Sequence, residues 1–345
     1  MRRTGMWRST QKFLANFFPT LLLLGYIALL LCRLNQWDGV VALTIIPIWI
    51  WAIVGVALSL VSWILTRSAA SLIVFFVWLL SGIGFAEETH GMIRQLASGF
   101  KRGPAFSEEN NFRIANFTAA GSLDAVKALA ESDIDLYLIR EAPTLEELED
   151  FAGDLFDSDY CISHRGELAI VSRGNLLSEI IPEDIEVLHA RIAFDERQII
   201  DVSVVSMPET LPTVQIWKPA VWSELRHRRK QKRRQVRRAL GENEITNSNT
   251  HRIVAGGFAA PPQDDAFRPM ERAGLYDPFF LSGEGWVNTY PEPYPYLRID
   301  STWVSPGFTS RKVFTMEVPG SEHRAVISDL RFPMTERVES VVNDG

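Results

Sequence analysis

Ile253-Val-Ala-Gly-Gly-Phe-Ala-Ala-Pro261 decides the fold. Ile253 to Phe258 is short, apolar and bounded by turn residues, which suits a strand. Pro261-Pro262 ends it, and Asp264 and Asp265 follow where an acidic N-cap of a helical run is common. On its N-terminal side, Val221 to Leu240 reads as a long helix.

The pattern continues outward. Phe112 to Phe117, Asp135 to Ile139 and Leu168 to Ser172 suit strands, and Leu123 to Glu131 and Leu145 to Leu155 suit helices. Ile185 to Phe194 and Gln198 to Ser206 form an antiparallel pair around Asp195-Glu196-Arg197, and Arg298 to Val304 and Arg324 to Leu330 complete the strands. Strands alternating with helices, with hairpins among them, argue for an α/β or α+β sandwich.

The first 102 residues are of another kind. Between residues 13 and 86 the only charged side chains are Arg33, Asp38 and Arg67. Phe13 to Cys32, Val40 to Leu65 and Ala69 to Ala86 are apolar runs of 20, 26 and 18 residues, so three membrane spans are expected. No small-residue cleavage site follows the first, and it is read as an anchor rather than a removable signal. Arg2, Arg3, Arg8 and Lys12 precede the first span and Arg67 lies in the second connection, which places the N-terminus on the cytoplasmic side and the soluble part outside. The absence of acids and histidines from the spans argues against an ion pathway. A linker or short helix over 87–110 leads to a domain at 103–335, and 336–345 reads as a tail. The net charge of −7 says little about partners, and two cysteines give no disulfide framework.

A series of motifs in order resembles the endonuclease/exonuclease/phosphatase superfamily across roughly residues 110 to 332. Arg113-Ile-Ala-Asn116, Asp135-Leu-Tyr-Leu-Ile-Arg-Glu141 and Gly166-Glu-Leu-Ala-Ile-Val-Ser-Arg173 come first. Gly256 to Pro261, Ala273 to Asp277, Thr289-Tyr-Pro291, Arg298-Ile-Asp300 and Ser321-Glu-His323 follow. The layout with spans before the domain is similar to a membrane-anchored bacterial branch. The resemblance implies a four-layer α-β-β-α sandwich of two mixed sheets, and phosphoester hydrolysis with a bound divalent cation, Mg²⁺ or Mn²⁺. It implies that Glu141 is the principal metal ligand, with Glu322 beside it. It implies that Asn116 supports the metal and the site, that His323 stabilises the phosphoryl group, and that Asp300 orients that histidine.

The departures from the family pattern bear on the chemistry. Gly257 stands where the family has an aspartate that positions or deprotonates water, and glycine can do neither. Ala259 stands where it has an asparagine donor, and losing one such donor typically costs on the order of 10²–10³-fold in rate. Ser206-Met-Pro208 replaces a strand-end histidine, and Glu322 replaces an aspartate with a carboxylate displaced by one methylene. Two readings follow. One is a pseudoenzyme-like domain with reduced or lost activity that binds a phosphate-bearing ligand or a partner. The other is a divergent Mg²⁺-dependent phosphodiesterase or phosphatase working through Glu141, Glu322 and the Asp300–His323 pair.

Arg226 to Arg238 carries nine Lys or Arg in 13 residues. It reads either as a solvated helix or as a contact for anionic lipid or nucleic-acid phosphates, through Arg228, Arg229, Lys230, Lys232, Arg233 and Arg234. It has no interleaved aromatics, so base stacking is not implied.

Overall fold

The computed structural model describes residues 2–99, 111–180, 186–194, 198–207, 218–240 and 251–332. The chain opens with α1 (Arg2–Asn35), a 3₁₀ turn (Asp38–Val40), α2 (Val41–Thr44), α3 (Ile48–Thr66), α4 (Ala69–Phe85) and α5 (Glu87–Gly99). Phe13–Asn35 and Ile48–Thr66 are each long and apolar enough to cross a membrane; α4 makes a third only when joined to α5 across a 65° bend. The expected second span, Val40 to Leu65, is not one helix. Pro47 disfavours helical geometry in the residue before it, and the preceding residues turn aside into the 3₁₀ turn and α2.

Small residues let the helices approach. Ala52, Gly55, Ser59 and Ser62 form the buried stripe of α3, against Ser71, Val74, Trp78 and Ser81 of α4. A methyl group on Gly55 would overlap the Trp78 indole, and the Ser62 and Ser71 hydroxyls hydrogen-bond at 2.9 Å. Ser81 donates to the Tyr26 hydroxyl at 2.7 Å, tying α4 to α1. Phe17, Leu24, Ile53, Leu65, Ile73 and Leu80 face outward.

The rest runs β1 (Asn111–Thr118), α6 (Leu123–Ala130), β2 (Leu136–Arg140), α7 (Leu145–Phe156), β3 (Tyr160–Arg165), β4 (Leu168–Arg173) and β5 (Asn175–Ile180). Then come β6 (Val187–Ala193), β7 (Ile199–Ser206), α8 (Pro219–Ala239), β8 (His251–Gly257), a 3₁₀ turn (Asp265–Phe267), α9 (Arg268–Arg272) and α10 (Phe279–Ser282). The last strands are β9 (Asp300–Val304), β10 (Thr309–Met316) and β11 (Ala325–Arg331). The Asp195–Arg197 turn and the 336–345 tail lie outside the described residues.

Two mixed sheets result, ordered β10-β11-β1-β2-β4-β3 and β5-β6-β7-β8-β9. Their facing sides share one core, with Phe112, Ile114, Leu136 and Leu138 from the first sheet and Ile200, Val202, Ile253 and Ala255 from the second. The outer face of the first sheet is covered by α6 and α7, through Val126, Leu129, Leu148 and Phe151. That of the second is covered by α8 and α9, through Val236, Ala239 and Met270. The expected four-layer α-β-β-α sandwich is therefore the architecture. Strand alternation decides which residues face the gap between sheets. Asn116 continues the inward stripe of Phe112 and Ile114, and Arg140 that of Leu136 and Leu138. Gly257 continues the stripe of Ile253 and Ala255, and Asp300 shares a face with Val304.

The helical region and the sandwich are joined by polar contacts. Buried Arg229 of α8 donates to Asp264, to the Gln36 carbonyl at 3.0 Å and to Thr44 Oγ1 at 2.6 Å. Arg233 pairs with Asp38 at 3.0 Å. Val41 and Ala42 pack on Leu225, and the Trp49 and Trp286 rings meet edge-on at 6.0 Å. The connection between α1 and α3 thus lies on the sandwich side, with Arg67 at the other end of α3.

Candidate functional site

Sheet register brings distant residues together. Ser206 pairs with Gly257, and Gly257 pairs with Asp300, at the ends of β7, β8 and β9. Asn116 and Arg140 reach this edge from the opposite sheet. Asn116 Nδ2 donates to the Ser301 carbonyl at 3.1 Å and the Gly256 carbonyl at 3.4 Å. His323 Nδ1 lies 2.8 Å from Asp300 Oδ2, and the Tyr290 ring lies 4.8 Å from the imidazole. Asp300 and His323 are thus within hydrogen-bond distance, with Asp300 fully buried and His323 nearly so. Asp300 Oδ1 accepts from Arg140 Nη2. Burial alone would raise the Asp300 carboxyl; Arg140 and His323 outweigh it and hold it down at about 2.

Arg140 explains the glycine at 257. An added Cβ there would fall on Arg140 Nη1 and lie 2.6 Å from Cζ. A side chain at this position has no room, because a guanidinium fills the space. Arg140 is only 5% exposed, and its Nε is buried without a hydrogen-bond partner among the described residues. At Gly256 the constraint is different: φ is +152° and a Cβ would meet the Val205 backbone carbonyl.

Two motif positions keep an unusual backbone. Glu141 and Ala259 have φ of 46° and 49°, a left-handed conformation that costs roughly 1–2 kcal/mol for a residue with a Cβ. Such strain gathers at functional sites. The Ala259 carbonyl accepts from Lys232 Nζ. Asp264 caps the 3₁₀ turn through the Ala266 N–H at 2.8 Å, as expected of an N-cap, and also holds Arg229.

The family typically uses a divalent metal. Mg²⁺ needs near-octahedral oxygen ligands, including one or two carboxylates. Both Asp300 oxygens are committed to Arg140 and His323. Glu141 and Glu322 are exposed, and neither side chain has a partner among the described residues. No three His, Cys, Asp or Glu gather at metal-holding distance among the described residues. Asn116 Oδ1 is buried and has no hydrogen-bond partner among the described residues, a single neutral oxygen ligand. These residues do not fit a divalent cation held in the centre.

The basic helix has two faces. Arg229 and Lys232 are buried, sharing a stripe with Leu225 and Val236, and Arg233 pairs with Asp38 and Asp265. Arg228 pairs with Glu224, while Lys230 and Arg234 are exposed. The remaining histidines lie apart: His164 meets the Pro143 carbonyl, His189 the Ser203 hydroxyl and His251 the Phe308 ring.

Sequence reasoning did not single out Arg140. The signal was available: Leu136-x-Leu138-x-Arg140 is an inward stripe ending in a cation, opposite the inward stripe that ends in Gly257.

A model of the Endonuclease/Exonuclease/phosphatase family matches residues 124–329, and the chain belongs to that family. Among solved structures, it is similar to the endonuclease/exonuclease/phosphatase from Bacteroides vulgatus, at 13% identity and a TM-score of 0.50, over 65% of this chain and 100% of that one. A family protein from Bacteroides thetaiotaomicron gives 14%, 0.47, 65% and 98%, and the human Nocturnin catalytic domain 14%, 0.48, 67% and 99%. At such identities the likeness concerns the fold. No curated protein matches the chain.

Proposed function

We propose that this is a membrane-anchored endonuclease/exonuclease/phosphatase domain whose reaction centre has been closed by its own arginine, and which acts by binding a phosphate-bearing ligand at the membrane boundary. The observation that carries this reading is the overlap of Arg140 with the side-chain space of position 257. Gly257 and Ala259 remove the water-positioning acid and the phosphate donor, and Arg140 supplies a fixed cation where a metal would otherwise balance Asp300. The anchor is the bundle of α1, α3 and α4. Arg67 and the basic N-terminus at one end favour a cytoplasmic placement of that end, with the sandwich outside. Exposed Phe280, Leu281, Tyr294 and Tyr296 suit a sandwich seated at the lipid interface, where amphipathic rings are favoured.

The test is calorimetric titration of Mg²⁺ and Mn²⁺ into the full-length protein in detergent, beside Glu141→Ala. The expected result is no saturable binding that depends on Glu141. Saturable binding lost in the variant would overturn the reading. The paired Asp300 and His323 favour a second reading, a divergent metal-dependent phosphoesterase. That reading fails when any detected turnover survives both Glu141→Ala and His323→Ala.

A further inference from the structure

A cavity of about 40 Å³ lies where the helical bundle meets the sandwich. Seating one water takes about 10–15 Å³ by this measure, so the space exceeds that of a single water and, being partly open, admits polar groups of a larger ligand. Its walls come from both parts of the chain: Arg33 near the end of α1, Pro47 and Ile48 at the start of α3, and Glu87 and Glu88 just after α4. Ala259, Asn288 and Arg298 close it from the sandwich. The sandwich-side ends of α1, α3 and α4 therefore meet around it.

The charges lining it are unevenly matched. Arg298 is saturated by Glu87 at 2.6 Å and by Asp277. Arg33 is different. One donor goes to the Ile46 carbonyl, its Nε is buried without a partner, and it makes no ion pair among the described residues. Glu88 is 7% exposed and accepts from its own backbone N–H and from Asn288 Nδ2, at 3.1 Å, with no cation within ion-pair distance among the described residues. Arg33 and Glu88 thus line one cavity and attract each other from beyond ion-pair distance, without a direct contact. Glu88 is buried and Arg33 half-buried, and an occupant carrying both charges would give each the contact-distance ion pair it lacks.

We infer that this cavity takes the zwitterionic headgroup of a membrane phospholipid, with the phosphate on Arg33 and a primary ammonium on Glu88. The inference rests on reading the domain as a binding module and names its ligand class. Its sequence basis is the isolated Arg33 at the end of an otherwise uncharged span and the Glu87-Glu88 pair directly after the third apolar run.

The experiment reconstitutes the full-length protein into nanodiscs of equimolar phosphatidylethanolamine, phosphatidylcholine and phosphatidylglycerol, and counts retained lipids by native mass spectrometry. Phosphatidylethanolamine is expected to be enriched about tenfold over the other two, the scale of one hydrogen bond to a charged group. Glu88→Gln removes that preference, Arg33→Gln lowers retention of all three, and Arg33→Lys restores it. Retention in bulk proportions would overturn the inference, as would an enrichment unchanged in both Glu88→Gln and Arg33→Gln. Displacement by soluble phosphoethanolamine at low concentration would assign the cavity to a free phosphate compound instead of a lipid. A variant that fails to fold leaves the selectivity of the wild type as the deciding measurement. Turnover is scored separately, so failure here is distinct from failure of the non-catalytic reading.

Discussion

Gly257→Ala adds one methyl group at a position whose backbone conformation suits any residue, so its cost must come from space. That methyl would fall on Arg140 Nη1 and press on Cζ at 2.6 Å. Arg140 has nowhere to move without leaving Asp300, whose side chain is fully buried. Removing one partner of a buried pair costs about 3–5 kcal/mol, and overpacking a core about 1–3 kcal/mol. Because the arginine is displaced and not deleted, the expected loss is about 2–3 kcal/mol. In a domain of this size that lowers the melting temperature by on the order of 5–10 °C. The assay is thermal unfolding of the full-length protein in detergent, for wild type, Gly257→Ala, Arg140→Ala and the double variant. Arg140→Ala is itself destabilising, and in its background Gly257→Ala should cost almost nothing. The coupling of about 2 kcal/mol is the signature of two residues sharing one space. Gly256→Ala is the control, since its clash is with the Val205 backbone and Arg140→Ala should not relieve it. An equal cost of Gly257→Ala in both backgrounds would refute the reasoning.

Arg229→Met should destabilise by about 3–5 kcal/mol, because it leaves Asp264 buried and unpaired, and limited proteolysis should reach the Gln36–Thr44 connection. Asp264→Asn in the same chain should recover part of that loss. Burial, with help from Arg252, lowers His189 to about 4. Folded His189 stays neutral while the unfolded chain takes up a proton, so stability is constant above about 6.5 and falls as pH drops from 6.5 to 4, by on the order of 3 kcal/mol. His189→Gln should flatten that window in a pH series of melting curves. Asp300 acts lower on the scale: its contribution of about 2 kcal/mol is present above its unfolded value near 4 and is lost as pH falls towards 2. Gly55→Val should disrupt the packing of α3 on Trp78 and lower the yield of folded protein from membranes, read by size-exclusion chromatography in detergent.

Most of the fold was legible where one face of an element is buried. The strands with clear apolar stripes, β1, β2, β4 and β6 to β8, lie inside the sheets or on the shared core, and the sequence pattern places each of them. The three unanticipated strands, β3, β5 and β10, are all sheet edges. Edge strands are less buried, as Asn175–Ile180 is with five exposed residues of six, and Asn175, Ser178 and Glu179 among them break the apolar alternation that identifies a strand. The break at Pro47 was visible as a proline inside an apolar run, yet hydropathy averages across it. In the candidate site, Asp300 and His323 are within hydrogen-bond distance and Asn116 reaches the same sheet edge, because each sits on or beside a buried strand end. The basic helix was legible as a helix but not as a clamp. Arg229 and Lys232 occupy core-facing positions, and charge alone suggested solvent. Arg140 escaped notice because its meaning depends on Gly257, 117 positions away and on the other sheet.

The relation between these two residues carries the functional argument. A deleted catalytic side chain by itself leaves a hole that water or a metal can enter. Beside Gly257 the space is filled by the Arg140 guanidinium, already paired with Asp300, which also holds His323. A divalent cation arriving there would meet a fixed positive charge inside a low-dielectric site, where like charges repel strongly.

Phosphoester turnover by the full-length protein in detergent tests this account most directly. The substrates are bis-p-nitrophenyl phosphate and p-nitrophenyl phosphate, each with Mg²⁺, with Mn²⁺ and with chelator, beside His323→Ala and Glu141→Ala. The account predicts rates that are the same with metal and with chelator, and the same in both variants as in the wild type. Metal-dependent turnover that disappears in both variants would contradict it, and would mean that the centre still works around Arg140.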